Sequence, residues 1–279
     1  MLRSSNPILS KQDAFTPAAP QYGSNNGGYG PDPYGTQGYQ GFPGGPATQA
    51  PVEAPEGRMT FDDVVTKTAI TMAILILAAA LAWWLMPPAL YFPAMVLSGL
   101  VGFVAVLLVS FRRKVSPGLV LAYAAIEGVF IGMISKLFEN FYEGIVVQAV
   151  IGTFAAAGVT LAAYKFFNIR VTPKFTKIVV ISTIAFAVAM LINFLLAIFG
   201  LGTPFTDGIT GPVGLLAIGM SLLGAVLAVL NLVLDFDYIE RGVAMGAPAS
   251  ESWRGAFGLT VTMVWLYVEI LRLLSYLRR

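Results

Sequence analysis

Between Gly211 and Gly242 the chain reads GPVGLLAIGMSLLGAVLAVLNLVLDFDYIERG. This run of apolar and small residues reaches the roughly 20 that a helix needs to cross a bilayer, at about 1.5 Å per residue. It then ends abruptly in Asn231, Asp235, Asp237, Glu240 and Arg241. A carboxylate there requires a partner or water, because lipid supplies neither. Asn231 and Asp235 are four apart, so a helix places them on one face. The stretch therefore predicts a membrane helix whose polar end borders a wet pocket inside a bundle.

Composition extends that reading to the whole chain. Of 279 residues, 57% are hydrophobic and 11% charged, whereas soluble domains carry about 25% charged residues. An all-α integral membrane protein is expected. Histidine and cysteine are both absent. His-dependent catalysis, His metal sites, disulfides and thiol chemistry are thereby excluded, and any response to pH must come from carboxylates. No DxDxDG loop, HExxH motif, GxxxxGKS loop or GxSxG elbow with a histidine occurs, so neither an ATP-driven pump nor a hydrolase is expected. Nothing points to a cofactor or a nucleic-acid partner.

Two domains are expected. Residues 1–57 form a tail rich in Gly, Tyr, Pro and Gln and poor in aliphatic residues, as in QYGSNNGGYGPDPYGTQGYQGF. Such a composition buries too little apolar surface to offset ordering entropy, so the tail is read as disordered and cytoplasmic. Either it is a plain solvated tail, or its tyrosine–glycine pattern self-associates weakly. Met1 to Thr16 lacks the apolar core and cleavage site of a signal peptide.

Residues 58–279 hold seven apolar runs. MTFDDVVTKT is read as a short interfacial helix, with Thr60 as N-cap and Asp62 and Asp63 in the first turn. Spanning helices follow at about 69–86, 92–111, 117–138, 144–167, 175–201, the opening stretch, and 253–277. Trp83 and Trp84 anchor the end of the first, and Pro87–Pro88 stop it. Arg112, Arg113 and Lys114 follow the second helix, and Lys165, Arg170, Lys174 and Lys177 lie around the turn after the fourth. Retention of basic loops on the inner side places the amino terminus and these loops in the cytoplasm of a multi-pass cell-membrane protein. Arg278 and Arg279 then fall outside if the seventh segment crosses. Its length favours crossing over a re-entrant return. Gly128 and Gly132, four apart, permit close helix approach.

Glu127, inside AYAAIEGVFIG, costs about 2.5–3.5 kcal/mol or more to place mid-bilayer. It must face the interior. Its candidate partners are Tyr123 one turn earlier, Lys67, Arg272 or a metal ion. Glu269 and Arg272 are three apart and are expected to pair. Asn193 is read as interhelical glue. Hard cations such as Ca²⁺ take oxygen ligands, which Glu127, Asp235, Asn231 and Thr153 offer if they converge.

MTFDDVVTKT, the Ile126–Gly128 IEG step, the QAVIGT run from Gln148 to Thr153, and DFDYIERG from Asp235 to Gly242 stand in this order. Together they resemble the Bax inhibitor family, in its bacterial branch with a Gly/Tyr/Pro-rich tail. The resemblance covers about residues 58–279. It implies a seven-transmembrane-helix bundle with the last helix central and a pH-sensitive passive leak of Ca²⁺. It also implies a helix-three glutamate on the ion path, matched by Glu127, and a helix-six acid in a proton-sharing latch, matched by Asp235. The helix-seven acid of that latch is missing. Its position falls on Thr262, which offers a hydrogen bond but no second carboxylate. Glu269, two turns along the same face, is the remaining candidate for that role, with Arg272 beside it.

The expected function is a pH-modulated cation leak, with Glu127, Asp235 and Asn231 along the path and Glu127 and Asp235 as metal ligands. The competing expectation is a non-transporting membrane scaffold or regulator that binds other membrane proteins, such as a quality-control protease.

Overall fold

Each of the long apolar runs becomes a helix because backbone polar groups in lipid must be satisfied within the segment. The computed structural model describes residues 57–112, 114–167, 169–203 and 213–278. The helices are α1 (Phe61–Leu85), α2 (Tyr91–Phe111), α3 (Pro117–Phe141), α4 (Ile145–Phe166), α5 (Pro173–Ile198), α6 (Leu215–Ala244) and α7 (Glu251–Leu277). All seven are long and apolar enough to span a membrane. Nearly all of the tail (residues 1–56) and the Gly211–Pro212 start of the opening stretch lie outside the described residues.

Local signals set the boundaries. Thr60 caps α1, accepting from Asp63 N–H at 3.2 Å, with Asp62 and Asp63 in the first turn. No separate interfacial helix precedes α1: the capped segment continues straight into the spanning run, with no Pro or Gly between Phe61 and Leu85 to break it. Pro87 and Pro88 end it and open a 3-10 turn, Pro88–Leu90. Pro117 and Pro173 start α3 and α5, where a missing N–H costs nothing. The turn into α4 needs a left-handed residue, and Gly144 supplies it at φ 76°. Glu139 at the end of α3 then accepts from Gly144 N–H at 2.6 Å and Val146 N–H at 3.1 Å, capping α4.

α7 is the axis of the bundle. It packs against α1, α3, α4 and α6, whereas among the described residues the backbone of α2 comes close only to α3 and its own leading 3-10 turn, and that of α5 only to α6; side chains of α2 also reach α7. Half of the apolar window of α7 (50%) is buried, against 17% in α1 and in α5. The closest approach is between α1 and α3. Gly128 lies under the Leu75 carbonyl and Ala78, and a Cβ on Gly132 would stand 2.5 Å from the Ala79 carbonyl oxygen. The small pair read from sequence is thus the α1–α3 contact.

The helices alternate in direction. Ala249 N–H donates to Gly57 O at 2.7 Å and Met59 N–H to Ala247 O at 2.7 Å, tying the start of α1 to the α6–α7 turn. Arg254 reaches Arg112 O at 3.1 Å, and Arg241 reaches Val171 O at 3.1 Å. One end of the bundle therefore gathers the basic turns, and it is called the basic end below. At the other end Arg278 donates to Glu143 O at 2.8 Å. α7 thus runs from one end to the other and is not re-entrant.

Candidate functional site

The polar end of α6 meets α7 about two to three turns inside the basic end. Leu232 and Val233 anchor α6 in the core, and Asp235 projects from it toward α7. Thr262 donates its hydroxyl hydrogen to Asp235 Oδ2 at 2.7 Å. Gly258, one turn before Thr262, makes room for the carboxylate, since a Cβ there would lie 3.0 Å from Asp235 Oδ1. The pair lines a cavity of about 350 Å³ between α2, α6 and α7. Val106, Ser110, Tyr238, Arg254 and Val261 line it as well.

Part of the lining of this cavity is polar. Tyr238 donates to Glu251 Oε2 at 2.6 Å, and Arg254 Nε donates to the same oxygen at 2.7 Å. Arg254 also ties the end of α2 through the Arg112 carbonyl. Charged and hydroxyl groups thus line the part of the cavity nearer the basic end, with the carboxylate and the threonine one turn or more farther along α6 and α7.

Glu127 lies outside that cavity. It is half-buried on α3 and faces Gly102 of α2, where a Cβ would stand 2.6 Å from its Oε2. Gly102 is one turn from Val106, which lines the Asp235 cavity, so the two acids border the same face of α2 at successive levels. An apolar cluster stands at this α2–α3–α7 contact. Tyr123, one turn before Glu127, packs edge-on to Phe257 with ring centroids 5.1 Å apart, and Val109, Val106 and Val261 pack with them; all but Tyr123 also line the Asp235 cavity. Among the described residues the Glu127 carboxylate makes no hydrogen bond or ion pair. Its expected partners are engaged elsewhere. Lys67 pairs with Asp63 at 2.7 Å, donates to Ala249 O, and lies over the Trp253 ring. Arg272 pairs with Glu269 at 3.0 Å.

Three expectations change in consequence. Asn231 does not join Asp235. Its Nδ2 donates to Thr183 Oγ1 on α5 at 2.7 Å and to Leu227 O at 2.8 Å. Residues four apart diverge by about 40° around a helix, and here that divergence sends one side chain to α5 and the other to α7. Glu127 and Asp235 are not brought into one cavity, since Glu127 lies outside the one that Asp235 lines. Among the described residues no three acidic side chains converge as a metal site, and Thr153 bonds Ala149 O within α4.

Glu269 is not placed at the Asp235–Thr262 contact. It is seven residues beyond Thr262, about 10 Å farther along α7. It is buried beside Gly224, Phe186 and Trp265 and held by Arg272. Asp237 pairs with Arg241 at 2.6 Å, and Glu240 accepts from Tyr164.

Sequence reasoning missed Gly258, Gly102, Arg254 and Tyr238. Gly258 stands one turn from Thr262, a small residue on the latch face, and that spacing was the available signal. The family model described as Bax inhibitor 1 like matches residues 6–279 of the chain, starting well before the stretch on which the resemblance was read. No curated protein gives a match.

Proposed function

The chain belongs to the Bax inhibitor 1-like family, and on that premise we propose that this multi-pass membrane protein is a passive cation pathway, closed in the present conformation, with Ca²⁺ as its cargo. The reading is of a conduit and not an enzyme, set in the cell membrane with its basic end toward the cytoplasm. The observation that carries it is the Asp235–Thr262 contact in a cavity between α2, α6 and α7, with Glu127 facing the same helix α2 one turn from that cavity's wall.

Two arguments support this assignment. A carboxylate within a spanning helix costs about 2.5–3.5 kcal/mol or more unless something offsets it, and Glu127 has no protein partner among the described residues. A passing cation or a proton supplies the charge that no side chain does. Second, the cluster where α2, α3 and α7 meet consists of side chains, and on this reading it is the barrier: Phe257 and Val261 on α7, Val106 and Val109 on α2, and Tyr123 on α3. Rotation or slight translation of α7 against α2 parts this cluster without breaking a helix. The Asp235–Thr262 bond, the Gly258 contact and the Arg254 tie to Arg112 hold α7 in the closed register. Modulation by pH acts through Asp235, with Arg254 and Tyr238 as the other charged or titratable groups lining its cavity.

Ca²⁺ flux into proteoliposomes tests the reading. Wild-type protein is expected to leak above empty vesicles, and Glu127→Gln is expected to lower that leak severalfold. A leak unchanged by Glu127→Gln removes the pathway and leaves the non-transporting scaffold.

A further inference from the structure

α1 and α4 both lean on α7, yet they do not pack against each other. The gap between them is an apolar groove of about 500 Å³, floored by α3 and α7. Its volume falls within the roughly 300–1,000 Å³ of small-molecule sites, and its lining follows their pattern of apolar walls with a few placed polar groups. Ile76, Val147 and Phe154 on its rim are all more than half exposed, so the groove opens sideways into the membrane. From Met72 to Trp84 the α1 wall rises about 18 Å at 1.5 Å per residue. One leaflet of hydrocarbon is about 15 Å thick, half of a bilayer core.

The polar groups lie at the end away from the basic end. Trp83 lines the groove there, and Lys136 Nζ lies 4.7 Å from its ring centroid. Tryptophan and lysine at this height mark the headgroup level. Lys136 has no carboxylate partner among the described residues. The neighbouring acid, Glu139, has both oxygens engaged by backbone N–H groups of the α4 cap. Ser135 and Tyr267 satisfy each other on the groove floor at 2.6 Å. A long apolar slot one leaflet deep, ending at an unpaired ammonium, matches one acyl chain with a phosphate above it.

We propose that the α1–α4 groove is a phospholipid site, with one acyl chain lying between Met72 and Trp83 and the lipid phosphate on Lys136. The occupant is a lipid of the leaflet opposite the basic end. The shared phosphate makes the site indifferent to headgroup charge. The lipid fills the space between two helices that both contact α7, so its presence stiffens the frame in which α7 moves.

The test is native mass spectrometry of the purified full-length chain titrated with palmitoyl-oleoyl phosphatidylglycerol and, separately, phosphatidylcholine. Wild-type protein is expected to hold one lipid of either kind more tightly than the rest. Ala80→Trp, which fills the groove from an exposed position, is expected to weaken that lipid about tenfold. Lys136→Gln is expected to weaken both lipids about threefold. Val104→Trp, on the exposed face of α2, should change nothing. Val150→Phe is a second groove-filling variant if Ala80→Trp does not fold. Groove-filled variants that bind lipid as wild type does, or a Lys136→Gln effect confined to phosphatidylglycerol, would overturn the proposal.

Discussion

Thr262 donates to Asp235 across 2.7 Å, joining α6 to α7 through a hydroxyl and a single carboxylate. Two carboxylates in this position would share one proton and separate when both ionise. A hydroxyl both donates and accepts, so it can bond either form of the acid. The contact therefore persists on both sides of the titration of Asp235, and pH modulation through it is shallow.

Replacing Thr262 by Asp restores a second acid. With both ionised at high pH the pair repels, the latch opens and leak rises; at low pH a shared proton closes it. Thr262→Asp is expected to leak severalfold more at pH 8 than at pH 6, a steeper change than wild type shows. Ca²⁺ flux at the two pH values checks this. Equal pH dependence in both proteins would contradict it.

Gly258→Ala places a methyl group 3.0 Å from Asp235 Oδ1, closer than ordinary contact. The aspartate must shift by a few tenths of an ångström, and the hydrogen bond lengthens. Flux measurements should show a severalfold higher leak. Thermal unfolding in detergent should move little, because the displaced group is one side chain beside a cavity.

The Glu269–Arg272 pair is buried on the acid side, at 3% side-chain exposure, and 19% exposed on the arginine side. Glu269→Gln leaves a largely buried cation without its counter-ion. It should destabilise by about 3 kcal/mol, near the lower end for such breaks because the arginine retains some access to solvent. The double replacement Glu269→Met, Arg272→Leu should cost less than the single one. Thermal or denaturant unfolding of the three proteins compares them directly.

Gly132→Ala drives a Cβ against the Ala79 carbonyl oxygen at 2.5 Å. Backbone cannot rotate away as a side chain does, so α1 and α3 must separate. A loss of about 1–3 kcal/mol is expected. The same change at Gly158, where a Cβ meets nothing within 4 Å, should be neutral or slightly stabilising. Unfolding of both variants measures the contrast.

The helices were legible because lipid imposes one rule: an apolar run of sufficient length becomes a helix. Pro87 and Pro117 marked boundaries, and Thr60 a cap, through local chemistry that needs no tertiary information, whereas Pro173 begins α5 two residues before the start the apolar run suggested. The Gly128–Gly132 pair signalled a close contact but not its partner, since α1 is not adjacent to α3 in the chain. Side-chain convergence was harder to read. Asn231 and Asp235 share a helical face in one dimension, yet the 40° between them decides which neighbour each meets. Glu127 was identified from its cost in lipid, whereas the cavity it stays outside of is walled by Phe257 and Val261, which sequence marks only as apolar. Arg254 and Tyr238 carried no signal of their own in the sequence; the fold sets them around one cavity.

The central claim is that the Asp235–Thr262 bond closes a path that runs past Glu127. Ca²⁺ flux through proteoliposomes bearing Thr262→Val, alone and combined with Glu127→Gln, tests it most directly. Loss of a hydrogen bond to a charged acceptor, about 1.5–3 kcal/mol, should raise the single variant's leak by tenfold or more, and adding Glu127→Gln should abolish most of that gain. A Thr262→Val leak equal to wild type, or one that Glu127→Gln leaves untouched, would contradict the account.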